Sequence, residues 1–114
     1  MSKELESRFL KFARSVRDFC KAVKPDVINI QYVRQLIRSS SSVGANYIEA
    51  ADGLGKLDEK MKIKTSRREA KESVYWLQLI LTYNAPELEK EKAILIDEGE
   101  QISKILSAIL LKLR

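Results

Sequence analysis

The sequence predicts an all-α protein, an antiparallel up-down-up-down four-helix bundle, and three observations carry that prediction. The 114 residues hold only 4 glycines and 2 prolines, too few for a sandwich that turns every eight to twelve positions or so. Apolar residues recur at alternating spacings of three and four, the signature of helices with one buried face. Breakers at Pro25, at Gly53 with Gly55, and at Pro86 divide the chain into four segments with short connections. Segments of roughly 20 to 28 residues would each extend about 30–42 Å, and short connections force neighbours to run antiparallel. Residues 1–114 are read as one domain, with no linker, repeat or low-complexity tail.

The first segment places Leu5, Phe9, Phe12, Val16, Phe19 and Val23 on an unbroken heptad stripe, widened by Ala13 and Cys20. Basic residues fall on the opposite side, and Pro25 ends the helix because the residue before a proline is pushed out of α geometry. The second segment is expected from Val27 to about Asp52, with Ile30, Val33, Ile37, Gly44, Ile48 and Ala51 inward and Ser40 and Ser41 interposed. Serine and glycine are poor helix formers, but the periodicity continues on both sides of them, and small residues let a neighbouring helix approach. Gly53 and Gly55 are expected to stop this helix.

The third segment is expected from Asp58, as N-cap, to Tyr83, with Ile63, Ser66, Ala70, Val74, Leu77 and Leu81 on one face. A second stripe of Met61, Trp76, Leu79 and Tyr83 lies away from the first, more apolar surface than one bundle can cover. The fourth starts at Pro86, with Glu87, Glu89 and Glu91 suited to the positive end of a helix. Its core stripe is Leu88, Leu95, Ile102, Ile105, Leu106, Ile109 and Leu113, leaving Ile94, Ile96, Leu110 and Leu111 over.

The chain contains no histidine, which removes the commonest general base, most zinc sites and the Ser-His and Cys-His nucleophile pairs. No catalytic residue, metal or cofactor is therefore expected; the acids stand at helix starts or beside lysines, as on a solvated face. Gly53-Leu54-Gly55-Lys56 lacks both the spacing of a phosphate loop and a preceding strand. The lone Cys20 faces the apolar stripe and reads as an inert thiol in a reducing compartment. No signal peptide is apparent, and no run approaches the roughly 20 apolar residues that span a bilayer. A cytoplasmic protein without membrane association is expected.

The net charge of +5 is unevenly placed: residues 1–24 carry +4 and residues 55–84 carry +3, while residues 85–114 carry −1. On the third helix Lys60, Lys64, Arg67, Arg68 and Lys71 share about a third of the circumference. With Arg14, Arg17 and Lys21 on the first helix they can track phosphates, or serve only as solubilising charge. On the second helix Gln35, Arg38, Ser42, Asn46 and Glu49 form a polar stripe, either a solvent face or a hydrogen-bonded network, buried or between subunits.

Two stretches carry a family resemblance. Arg38-Ser39-Ser40-Ser41-Ser42-Val43-Gly44-Ala45-Asn46-Tyr47-Ile48-Glu49-Ala50 and Arg68-Glu69-Ala70-Lys71-Glu72-Ser73-Val74-Tyr75-Trp76-Leu77 resemble the second- and third-helix signatures of one bacterial family. That family is the four-helix-bundle protein encoded by intervening sequences in 23S ribosomal RNA genes. Its relatives include the accessory variability determinant of diversity-generating retroelements. The resemblance implies a homopentameric ring; the retroelement branch binds nucleic acid and a reverse transcriptase through positive surface, whereas the ribosomal-RNA branch has no established biochemical activity. Arg38, Asn46, Glu49, Glu69, Glu72, Tyr75 and Trp76 match the family's motif positions, and the resemblance implies a buried or inter-subunit network for Arg38, Asn46 and Glu49. The stretch from Asp58 to Lys64 departs from the family in being lysine-rich where relatives often carry an aromatic. The function expected is a non-enzymatic homo-oligomer binding RNA or DNA without reading base sequence. The alternative is a scaffold for a protein partner with no nucleic-acid ligand.

Overall fold

In the computed structural model, which describes residues 2–113, α1 runs over Lys3–Ala22, α2 over Val27–Ala51, α3 over Lys56–Leu79 and α4 over Pro86–Lys112. The Ser2 hydroxyl caps α1 by accepting from the Leu5 amide at 3.2 Å, and the Asp26 carboxylate caps α2 through the Asn29 amide at 2.8 Å. Pro86 occupies the first turn of α4, where its missing N–H leaves no bond unmade.

The start of α3 differs from the sequence expectation. Gly55, not Asp58, is the N-cap, and its φ of +112° is the one backbone angle at this turn that demands glycine. Asp58 lies inside the helix and reaches back to accept from the Leu54 amide at 3.3 Å. Gly53 has no left-handed angle, and the C-cap of α2 is Asp52. At the other end α3 stops at Leu79, so Leu81 is not a core position and is partly exposed. Tyr83 and Asn84, with φ of 54° and 61°, reverse the chain into α4, and the Tyr83 hydroxyl donates to Asp26.

The four helices form a bundle in which α1 packs on α2 and α4, and α3 packs on the same two, so that α1 and α3 stand diagonally. Contacts of α2 with α3 and the turn after it run in opposite residue order: Asn29 meets Leu81, Val43 meets Ser66, and Glu49 meets Lys62. The same holds for α3 with α4, where Arg67 meets Ser107 and Ile80 meets Lys92. Phe9, Phe12, Val16 and Phe19 fill the α1 side of the core as their spacing requires. Ile63, Ala70 and Leu77 enter from α3, and Leu95, Ile102 and Leu106 from α4. None of the helices is long and apolar enough to cross a membrane.

The inward face of α2 is rotated by about one residue from the expected stripe. Asn29, Leu36, Ser39, Ser40, Val43, Tyr47 and Ala50 are buried, while Ile48 and Ala51 are exposed and Ile30, Val33, Ile37 and Gly44 are half-buried. Small residues let α2 and α3 pack closely, and their hydroxyls are satisfied there. The Ser39 and Ser73 hydroxyls lie 2.8 Å apart, Ser73 donates on to the Glu69 carbonyl at 2.9 Å, and Ser66 donates to the Val43 carbonyl at 2.7 Å. Ser41 points outward and bonds back to the Ile37 carbonyl. Of the serine run, Ser39 thus enters the α2–α3 seam and Ser40 is buried, while Ser41 and Ser42 bond back to carbonyls of their own helix.

Candidate nucleic-acid interface

Because Ile63, Ser66, Ala70, Ser73 and Leu77 turn inward, the residues between them are forced towards solvent at the helical period. Lys64, Arg68 and Lys71 are exposed, and Lys60 and Arg67 are half-buried along the cleft between α3 and α4. That cleft, about 360 Å³, is lined by Lys60, Lys64, Arg67, Ser107, Leu110 and Leu111. Its geometry is held by Arg67, whose guanidinium donates to the Ser107 hydroxyl at 3.1 Å. Lys64 and Arg67 also line a second, shallower depression with Arg68, Lys71, Glu72 and Tyr75. The two depressions form one track along α3.

Among the described residues, none of these five cations is paired with a carboxylate. Other cations of the bundle are: Arg8 grips Glu98 at 2.8 Å, Lys62 meets Glu49 at 2.9 Å, and Arg38 meets Glu69 at 2.8 Å. An ion pair offers a polyanion little net field, whereas unpaired cations in a row offer their full charge. Ser107, Leu110 and Leu111 complete this track from α4, a contribution that spacing within α3 cannot reveal.

The first-helix cations do not join that track. Arg14 and Arg17 flank a groove between α1 and α2 with Leu10, Ala13, Ile37 and Ser41, and Arg17 is paired with Asp18 at 3.1 Å. Lys21 is exposed on the same helix. Since α1 is diagonal to α3, the two basic faces of one chain look in different directions.

The polar stripe of α2 resolves into contacts within the chain. Arg38 spans the α2–α3 seam, donating to Glu69 at 2.8 Å and to Glu72 at 3.2 Å. Burial, with Glu72 close by, holds the Glu69 carboxyl above the usual carboxylate range, although Arg38 draws it back. Arg38 is in turn raised by the charge of Glu69. Asn46 donates to the Ser42 carbonyl on its own helix, Glu49 pairs with Lys62 across the seam, and Gln35 is exposed. Trp76 is half-buried, stacks on Tyr32 with ring centres 6.3 Å apart, and its buried Nε1–H finds no partner among the described residues. Cys20 is half-buried rather than sealed in the core, and burial pushes its thiol up to about 11, which keeps it protonated near neutrality.

Asn29 is a structural centre that hydropathy alone does not mark. Fully buried, it donates to the carbonyls of Lys24 at 3.0 Å and Leu81 at 2.9 Å and accepts from the Leu81 amide at 2.9 Å. The only trace in the sequence is its place three residues after the capping Asp26, on the same face as Leu36.

A family profile described as 23S rRNA-intervening sequence protein matches residues 4–108. The chain is also similar to a solved structure from Bacteroides thetaiotaomicron, a protein of unknown function from the S23 ribosomal protein family. Identity is 27%, the TM-score is 0.75, and the match covers 92% of this chain and 96% of the other. No curated protein matches. The profile spans all four helices, including both stretches that carry the resemblance, and the chain belongs to the family of 23S rRNA-intervening sequence proteins.

Proposed function

We propose that the protein is a non-enzymatic homo-oligomer, a pentamer on the family resemblance, that binds nucleic acid through phosphate contacts in the cytoplasm. The observation that carries this reading is the row Lys60, Lys64, Arg67, Arg68 and Lys71, unpaired with acids among the described residues, along one open track. From Lys60 to Lys71 the row extends about 16 Å, the axial length of about five base pairs of duplex. A row of cations along one helix meets the backbone charge of a nucleic acid, and phosphate contacts position a ligand without reading its sequence. Five chains would together carry about +25, five times the formal charge of one. The direct test is fluorescence anisotropy with a structured RNA, a duplex DNA and a single strand at several salt concentrations. Affinity that falls steeply with salt supports the reading, and absence of binding at low salt removes it. Sedimentation tests the assembly, which a monomer at micromolar concentration would overturn.

A second reading is a scaffold for another protein. It is favoured by exposed apolar side chains, among them Leu54 at 97%, Val27 at 77% and Leu57 at 76% exposure. Recovery of the same partner from lysate before and after nuclease treatment, with no affinity for purified nucleic acid, would favour it over phosphate binding.

A further inference from the structure

We infer that the nucleic acid bound on α3 is single-stranded and that Tyr75 is the ring on which one of its bases stacks, an inference that rests on the phosphate-binding reading above. Tyr75 is 57% exposed although it is a large aromatic residue. It closes a depression of about 390 Å³ whose other walls are Lys64, Arg67, Arg68, Lys71 and Glu72. Lys71 stands one turn before it and Arg68 two, so a backbone held by those cations passes directly beside the ring. The one acid in the depression, Glu72, is already engaged by Arg38 at 3.2 Å, which leaves the cations around Tyr75 to act on a ligand.

The ring is also held in place. It meets Trp76 edge-on, with centres 5.3 Å apart and planes at 70°, and Trp76 is itself stacked on Tyr32. An anchored aromatic beside a row of cations is what a sequence-tolerant single-strand site requires, because every base has a π-face and the backbone supplies the charge. In a duplex those faces are covered by neighbouring base pairs, and a ring in a shallow depression reaches only sugar and phosphate.

The test is anisotropy with a labelled oligothymidylate and a duplex of the same length, using wild type, Tyr75→Ala, Tyr75→Phe and the triple variant Lys64→Gln/Arg67→Gln/Lys71→Gln. Tyr75→Ala is expected to weaken single-strand binding by between about fivefold and a hundredfold. Tyr75→Phe should bind like wild type, and duplex affinity should stay where it was. Alanine is a strong helix former and Tyr75 is exposed, so the variant should fold, as circular dichroism will show. Trp76, the only tryptophan, should change its emission when oligothymidylate binds. Equal losses on both ligands, or no loss on the single strand, overturn the stacking role. If only the triple variant loses binding, the stacking inference falls and the phosphate reading stands; if wild type binds neither ligand at low salt, both fall.

Discussion

Arg38 holds Glu69 at 2.8 Å across the α2–α3 seam, and the two ends of this pair live in different solvents: the Glu69 side chain is 6% exposed, the Arg38 side chain 54%. The buried carboxylate is the costly partner. Its pKa is raised by burial and by Glu72, so the folded protein binds this proton more tightly than the unfolded chain does. Stability contributed by this group is therefore greatest at low pH and falls as pH rises from the unfolded value of about 4.3 through the raised folded value. Urea denaturation of wild type against Glu69→Gln over that range should show the wild type losing stability relative to the variant as pH rises. Arg38→Ala removes the counter-charge and should steepen the loss, with a cost on the order of 1–2 kcal/mol at neutral pH after allowance for its exposure.

Asn29 joins the start of α2 to the ends of α1 and α3 through three side-chain bonds. Asn29→Leu keeps the branched shape of the side chain but strands the amide and the carbonyl of Leu81 near the core, while the Lys24 carbonyl still accepts from the Asp26 amide at 3.0 Å. A loss of about 3 kcal/mol is expected, since each buried group left unpaired costs roughly 1–3 kcal/mol and some will find water. Thermal unfolding should show a midpoint lower by about 10–15 °C. A shift of only a degree or two would mean that solvent already satisfies those groups.

Gly99 is the contact point of α4 with α3: a Cβ placed there would lie 2.7 Å from Val74 Cγ2. Alanine gains about 1 kcal/mol of helix propensity, but overpacking against a stiff β-branched side chain costs about 1–3 kcal/mol. Gly99→Ala should therefore destabilise, and adding Val74→Ala should recover part of that loss beyond additivity. Gly44→Ala is the control, because its Cβ would meet Phe9 Cβ at 3.4 Å, and the propensity gain should leave it neutral or stabilised. Denaturant midpoints of wild type, the double variant and the three single variants Gly99→Ala, Val74→Ala and Gly44→Ala check all of this.

The helix order and the α1 face were legible because the buried positions of α1, from Phe9 to Phe19, are apolar and the exposed ones between them, Leu10 apart, are charged. The α2 face was not, for a physical reason. Its inward set includes Asn29, Ser39 and Ser40, whose polarity is satisfied by hydrogen bonds, while Ile48 on the outer side draws a hydropathy reading away by one position. Bonds such as that of Asn29 to Leu81 are properties of two segments, so neither segment alone announces them. The same limit applies to the candidate site. The spacing of Lys60, Lys64, Arg67, Arg68 and Lys71 displays the row, but that α4 walls it with Ser107 and that α1 stands on the diagonal are facts of assembly.

That diagonal separates two versions of the basic surface. If the α3–α4 track is the binding face, Lys64→Gln/Arg67→Gln/Lys71→Gln removes three phosphate contacts. For a duplex the slope of log affinity against log salt should then become shallower by about 2–3, at roughly 0.9 per contact. Arg14→Gln/Arg17→Gln/Lys21→Gln removes the same formal charge from a helix that faces elsewhere. It should lower affinity slightly through the long-range field and leave the slope unchanged. Neither variant breaks a buried ion pair, so the α1 variant should keep the wild-type melting temperature and the α3 variant should lose only the small contribution of the Arg67–Ser107 bond. Equal slopes for the two variants would mean that the nucleic acid wraps more than one face, and a loss confined to the α1 variant would move the interface to the α1–α2 groove.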